Sequence, residues 1–152
     1  MEPGKVNIRL ASKADLKELF RLEQQCFGEE SFSARQISYL ATRSSGSFFV
    51  LTENGQMAGF LVLLRRKNSS GIRLYSLAVS PDFRGKNYAF TLLNKAVGFA
   101  QQEGKSRLLL EVSENNEAAI QLYHKFGFRI TGKRKAYYKD GSTALLMRFM
   151  LD

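Results

Sequence analysis

A chain of 152 residues is the usual size of one domain and can bury roughly 68–70% of its unfolded surface, so residues 1–152 read as a single domain needing no disulfide or structural metal. With 44% hydrophobic and 24% charged residues it is too apolar for disorder, no stretch nears the roughly 20 apolar residues of a membrane span, and residues 1–9 lack a signal-peptide core. A formal charge of +9 calls for an acidic counterpart (a phosphate-bearing cofactor, nucleic acid or an anionic protein) without choosing among them, and the lone Cys26, read as a small core residue of the first helix, excludes an internal disulfide or cysteine metal cluster and suits the cytoplasm.

Val6 to Leu10 alternates apolar and polar residues and predicts a strand. Ser12 and Asp15 then form an S-x-x-D cap, and Leu16, Leu19, Phe20, Glu23 and Phe27 follow at helical spacing. After a short loop, Gly28 to Phe32, a capping box of Ser33 and Gln36 opens a second helix to about Arg43, with Phe32 and Ile37 placed as a hydrophobic staple. Ser47 to Thr52 and Gln56 to Leu64 are strands joined by Asn54-Gly55, a dipeptide suited to a tight hairpin. Ile72 to Val79 is a further strand ended by Pro81. Ala89, Leu92, Leu93, Ala96, Val97 and Ala100 mark an amphipathic helix from about Asn87 to Gln102, closed by Gly104.

The nearly continuous apolar run Arg107 to Val112 predicts a strand buried on both faces, with Glu111 inside it. A helix from about Asn116 to Lys125 stops at Gly127, and Phe128 to Arg134 and Ala144 to Met150 form a last strand pair. The order is strand, two helices, three strands, helix, strand, helix, two strands. It predicts an α/β chain, a mixed sheet flanked by helices.

The segment Leu77-Ala78-Val79-Ser80-Pro81-Asp82-Phe83-Arg84-Gly85-Lys86-Asn87-Tyr88-Ala89 carries a strand into a small basic turn that opens a helix. Free backbone N–H groups at a helix start, aided by the helix dipole, can cradle a pyrophosphate. Arg84 and Lys86 add charge, and the small Ala89 permits close approach. This turn resembles the phosphate loop of the GNAT acetyltransferases, Q/R-x-x-G-x-G/A after a Leu-Ala-Val strand end: Arg84 and Ala89 match its first and last positions, while Asn87 stands where the family usually has Gly. Asn is the non-glycine residue that best tolerates the left-handed region, so Asn87 is expected at positive φ.

Leu110-Glu111-Val112, followed by Asn116, Ala119, Leu122, Tyr123, Gly127 and Phe128, resembles the family's second motif, L-x-V-x-x-x-N-x-x-A-x-x-L-Y-x-x-x-G-F. The resemblance implies a mostly antiparallel twisted sheet of about seven strands with about four helices. It also implies acetyl-CoA as co-substrate, held by Arg84, Gly85, Lys86, Asn87, Tyr88 and Ala89, with the backbone of Leu77, Ala78 and Val79 and the side chain of Asn116 on the pantetheine arm.

An ammonium must lose a proton before it attacks a thioester, so a carboxylate that reaches it directly or through water is useful, and Glu111 is the candidate base. A Tyr hydroxyl can protonate or stabilise the leaving thiolate, and Tyr123 is the candidate. Other readings stay open, with Glu111 simply salt-bridged and Tyr123 simply core. His124, the only histidine, points off the Tyr123 face and supports neither a triad nor a metal site; no metal is expected.

Within the family, the acid and Tyr twelve residues apart, and the later Arg134-x-x-Tyr137-Tyr138 followed by Asp140-Gly141, resemble protein N-terminal acetyltransferases, including bacterial enzymes that modify a ribosomal protein at its N-terminal alanine. That likeness implies an acceptor groove formed by Tyr137, Tyr138 and the loop bearing Phe32. A small amine, an amino acid or a lysine side chain remains the alternative acceptor, and an inactive CoA- or nucleic-acid-binding module the alternative from another class. Direct nucleic-acid or membrane binding is not expected. A monomer and a homodimer both fit.

Overall fold

The computed structural model describes residues 5–28, 33–42, 47–65 and 68–151. In chain order the elements are β1 (Val6–Leu10), α1 (Leu16–Phe27), α2 (Ala34–Thr42), β2 (Ser47–Glu53), β3 (Gln56–Arg65), β4 (Gly71–Val79), α3 (Tyr88–Gln102), β5 (Arg107–Ser113), α4 (Glu117–Phe126), β6 (Arg129–Arg134) and β7 (Ala144–Met150). Short 3-10 turns at Lys13–Asp15 and Pro81–Phe83 precede α1 and α3. The seven strands are ordered β1-β2-β3-β4-β5-β7-β6. β4 runs parallel to β5, whereas β1/β2, β2/β3, β5/β7 and β7/β6 are antiparallel, giving the mixed, mostly antiparallel sheet expected.

The chain divides into two compact units, residues 1–64 with 76–94 and residues 65–75 with 95–152. In the first, β2 is buried on both faces from Phe48 to Thr52. Its turn to β3 has Asn54 and Gly55 both left-handed, at φ 51° and 83°, the two positive values a type I′ turn needs. The entry to α1 is held by Asp15, whose carboxylate accepts from the Ser12 N–H at 2.7 Å and from both Arg9 guanidinium nitrogens at 2.7 and 2.8 Å. Those bonds hold Asp15 well below the usual carboxylate range, at about 2. The Ser33–Gln36 box is formed in both directions, at 2.8 and 3.2 Å; its Phe32 staple partner and Arg43 lie outside the described residues.

Gly59 of β3 has a packing reason that no turn signal announces. A Cβ there would lie 2.6 Å from the Ala78 carbonyl oxygen and 3.3 Å from Leu92 Cδ1, so only glycine lets β4 and α3 come this close.

In the second unit, β5 corrects the expectation of a strand buried on both faces. Leu108, Leu110 and Val112 are buried, while Arg107, Leu109, Glu111 and Ser113 are only partly covered. Leu109 between two core leucines hides this period of two. The buried side joins Leu145 and Met147 of β7. Phe126, Phe128 and Phe149 pack together with centroids 5.2 to 6.2 Å apart, and Tyr123 meets Phe128 edge-on at 5.6 Å. Gly127, at φ 128°, closes α4 by donating to the carbonyls of Tyr123 and His124 at 3.1 Å. His124 is exposed, as expected.

Candidate active site

The phosphate turn lies in the first unit. Asn87 has φ 62° and Gly85 φ 86°, so the position where Gly was expected does hold a left-handed residue, and it is Asn. The first helical bond of α3 runs from the Thr91 N–H to the Asn87 carbonyl at 3.1 Å. The N–H groups of Tyr88 and Ala89 precede it and have no acceptor within the helix, which is the geometry of an anion cradle.

The side chains of this turn are arranged differently from the expectation. Lys86 Nζ is bound to both Glu53 oxygens, at 2.8 and 3.0 Å, and the buried Tyr88 donates its hydroxyl to the same carboxylate. Lys86 first and Tyr88 second hold Glu53 below the carboxylate range, and Glu53 in turn pushes Tyr88 up to about 12. The turn's charge toward a ligand therefore falls to the exposed Arg84 and to backbone N–H groups. Cys26 is only partly buried, not core, with Sγ 3.7 Å from the Val79 carbonyl oxygen. Burial pushes its thiol up and the neighbouring Arg84 opposes the shift. Ala78 is buried and Leu77 and Val79 are partly covered; the β4–β5 register covers Gly71–Arg73 against Arg107–Leu109, so Leu77–Val79 lie beyond it.

The other candidates lie in the second unit. The Glu111 side chain is 10% exposed, accepts from Arg73 Nη2 at 3.2 Å and lies 3.7 Å from Arg134 Nη1. The salt-bridged reading of Glu111 is thus what the geometry shows, with a lone pair left for a further donor, since a carboxylate offers about four acceptor sites. Each arginine also meets an aromatic ring, Arg73 over Tyr75 at 5.0 Å and Arg134 over Tyr137 at 5.8 Å. Tyr137, 42% exposed, and Tyr138 pack at a right angle with centroids 5.1 Å apart. The connection that carries them is fastened by Tyr137 N–H to the Ser142 carbonyl at 3.0 Å and by Ser142 N–H to Asp140 Oδ1 at 2.9 Å.

Tyr123 is buried, and burial, with a smaller contribution from Tyr138, pushes its hydroxyl up to about 12. Asn116 caps α4, its Oδ1 accepting from the Ala119 N–H at 3.2 Å, a structural duty not foreseen from its motif position. Phe32 and the loop around it lie outside the described residues. Arg73 and Tyr75 were missed by the sequence reading; their alternation on β4, one strand from Glu111, was the available signal. No group of three or more His, Cys, Asp or Glu suited to a metal ion occurs among the described residues, and no helix there is long and apolar enough to cross a membrane.

Comparison with known proteins gives this geometry its context. The chain is 28% identical over 144 residues to a Bacillus subtilis (strain 168) protein provisionally named ribosomal protein bS18-alanine N-acetyltransferase, covering 94% of each. It is 31% identical over 107 residues to streptothricin acetyltransferase of Streptomyces lavendulae, spanning 68% of this chain and 57% of that one. Its fold is similar to the crystal structure of the ribosomal-protein-S18-alanine N-acetyltransferase from Escherichia coli, with TM-score 0.86, 27% identity and coverage of 97% and 95%. The acetyltransferase (GNAT) family matches residues 15–128, a span that takes in both the phosphate turn and the segment from Glu111 to Tyr123; on that match the chain belongs to this family and is an acetyl-CoA-dependent N-acetyltransferase.

Proposed function

We propose that the acceptor is the N-terminal α-amine of a protein. The observation that carries this reading is the link from Glu111 through Arg134 to the exposed Tyr137 and its neighbour Tyr138. Tyr offers a rigid apolar body and a polar tip, well suited to binding a peptide backbone beside a carboxylate. The names of the Bacillus and Escherichia coli relatives support it. The streptothricin acetyltransferase likeness favours a second reading, a small amine. The single cysteine suits the cytoplasm as the working compartment.

Acetyl-CoA supplies an activated thioester, and the left-handed turn at Gly85 and Asn87 fits its diphosphate. The N–H groups of Tyr88 and Ala89, with Arg84, hold that diphosphate, and the backbone of Leu77, Ala78 and Val79 pairs with the pantetheine arm. The cap at Asn116 occupies its Oδ1, so its amide NH2 is the donor toward the arm. The ammonium first gives one proton to Glu111, directly or through water, and so becomes a nucleophile. As the nitrogen–carbon bond forms and the carbon–sulfur bond breaks, the nitrogen gives up a second proton, which passes through water to the released thiolate.

Burial pushes the Tyr123 hydroxyl up to about 12, which keeps it protonated near neutral pH, so its part is to donate a hydrogen bond to the developing thiolate. Incubation with acetyl-CoA and a panel of peptides and small amines, read by mass spectrometry, tests the acceptor. Acetyl groups on peptide α-amines are expected; acetyl groups only on lysine side chains or small amines would overturn the reading.

A further inference from the structure

Strand register places an arginine-rich surface on the same sheet face as Glu111. Paired residues share a face and residues two apart keep it, so the pairs Leu109 with Arg148, Arg148 with Arg129, Glu111 with Leu146 and Arg134 with Ala144 fix the side chains. The Arg73 and Arg134 contacts to Glu111 agree. Among the described residues of β5, β6, β7 and Gly71–Tyr75, this face carries Arg73, Arg107, Arg129, Arg134 and Arg148 against one carboxylate, Glu111.

The placement of Arg129 and Arg148 is costly. They are directly opposite each other on antiparallel strands, both exposed, and like charges so placed repel. Among the described residues neither makes an ion pair. The one acid on the face is already held by Arg73 and Arg134. An anion lying across the pair removes the repulsion.

We infer that this row selects acceptor polypeptides with acidic side chains at about the third to fifth residue, a conclusion that rests on the protein N-terminus reading. With strands about 4.8 Å apart and a rise of about 3.4 Å per residue, Arg148 is about 8 Å from Glu111 and Arg129 about 12 Å. Tyr137 and Tyr138 lie past Arg134, at the other end of β6 and β7 from Arg129 and Arg148, so they meet only the first residue of an extended peptide whose amine is at Glu111, and the chain then covers those distances in two to four residues as it runs away from them. Two guanidinium forks there match Asp or Glu carboxylates. A nucleic acid is the poorer fit at Arg129 and Arg148, because their neighbours on this face, Leu109, Leu146 and Gly132, offer no ring for a base to stack on, and the rings of Tyr75 and Tyr137 already lie against Arg73 and Arg134.

The test uses heptapeptides with identical first two residues and Glu, Gln or Lys at positions three to five, each assayed for kcat/KM with acetyl-CoA. The Glu peptide should exceed the Gln peptide by about tenfold, mainly through KM, and the Lys peptide should be poorest. The charge swap R129E/R148E should reverse the order. Single variants R129Q and R148Q relieve the repulsion, so they should melt no lower than the parent, which keeps the result readable if the double variant fails to fold; each should shrink the Glu-to-Gln ratio. Equal use of all three peptides would overturn this inference while leaving the N-terminal reading intact. Acetylation of small amines with none of any peptide would overturn both. Inhibition by a single-stranded RNA oligonucleotide that R129Q and R148Q abolish would assign the face to nucleic acid and overturn it as well.

Discussion

At the scale of single residues, Asn87 and Tyr123 do their work through conformation and burial. Asn87 at φ 62° meets a demand that a β-branched side chain meets only at about 1–2 kcal/mol. Asn87→Gly should keep or improve CoA affinity and Asn87→Val should weaken it, as measured by calorimetric titration; equal affinities would refute the role of the left-handed turn. Tyr123→Phe keeps the ring and its edge contact with Phe128 while removing one donor. It should lower kcat about 10²–10³-fold with little change in CoA affinity or melting temperature. Near-normal turnover would remove Tyr123 from the chemistry. Glu111→Gln should lower kcat and also melt earlier, because it loses the carboxylate charge that holds Arg73 and Arg134.

At the scale of elements, the start of α1 and the approach of β4 to β3 are held by single groups. Asp15 has its carboxyl lowered to about 2, so its stabilisation is complete above the unfolded value near 4 and is lost as pH falls through 2. The shift corresponds to about 2 kcal/mol, discounted toward 1 because the Arg9 side chain is 42% exposed. Urea midpoints should show Asp15→Asn less stable than the parent at pH 7, with the gap narrowing between pH 4 and pH 2. A gap constant with pH would mean that the ionised carboxylate of Asp15 adds nothing over its protonated form. Gly59→Ala places a methyl 2.6 Å from a backbone oxygen, so β4 must shift. A loss of about 1–3 kcal/mol in stability is expected, and with it weaker CoA binding if Leu77–Val79 hold the pantetheine. An unchanged melting temperature would show that the strands can part without cost.

At the scale of the whole molecule, a charge of +9 should attract a cofactor that is itself strongly anionic. Raising salt from about 0.05 to about 0.5 M should slow CoA association several-fold by stopped-flow, since the screening length shrinks to a few ångströms; a salt-independent rate would confine the attraction to the phosphate turn itself. The sequence by itself determined the elements, the hairpin at Asn54-Gly55, both helix caps and the left-handed Asn87, because each depends on neighbours within a few residues. It also marked Glu111, Tyr123 and the Tyr137-Tyr138 pair, through a motif spacing that survives in one chain. The Leu108-Leu109-Leu110 run hid which side of β5 faces the core, since three leucines carry no alternation. Only tertiary structure decided that Lys86 and Tyr88 turn to Glu53, that Arg73 and Arg134 bracket Glu111, that Gly59 makes room for Ala78, and that Arg129 stands opposite Arg148. Each of those is a pairing of residues 19 to 38 positions apart, settled by strand register and tertiary packing, which local propensity does not encode.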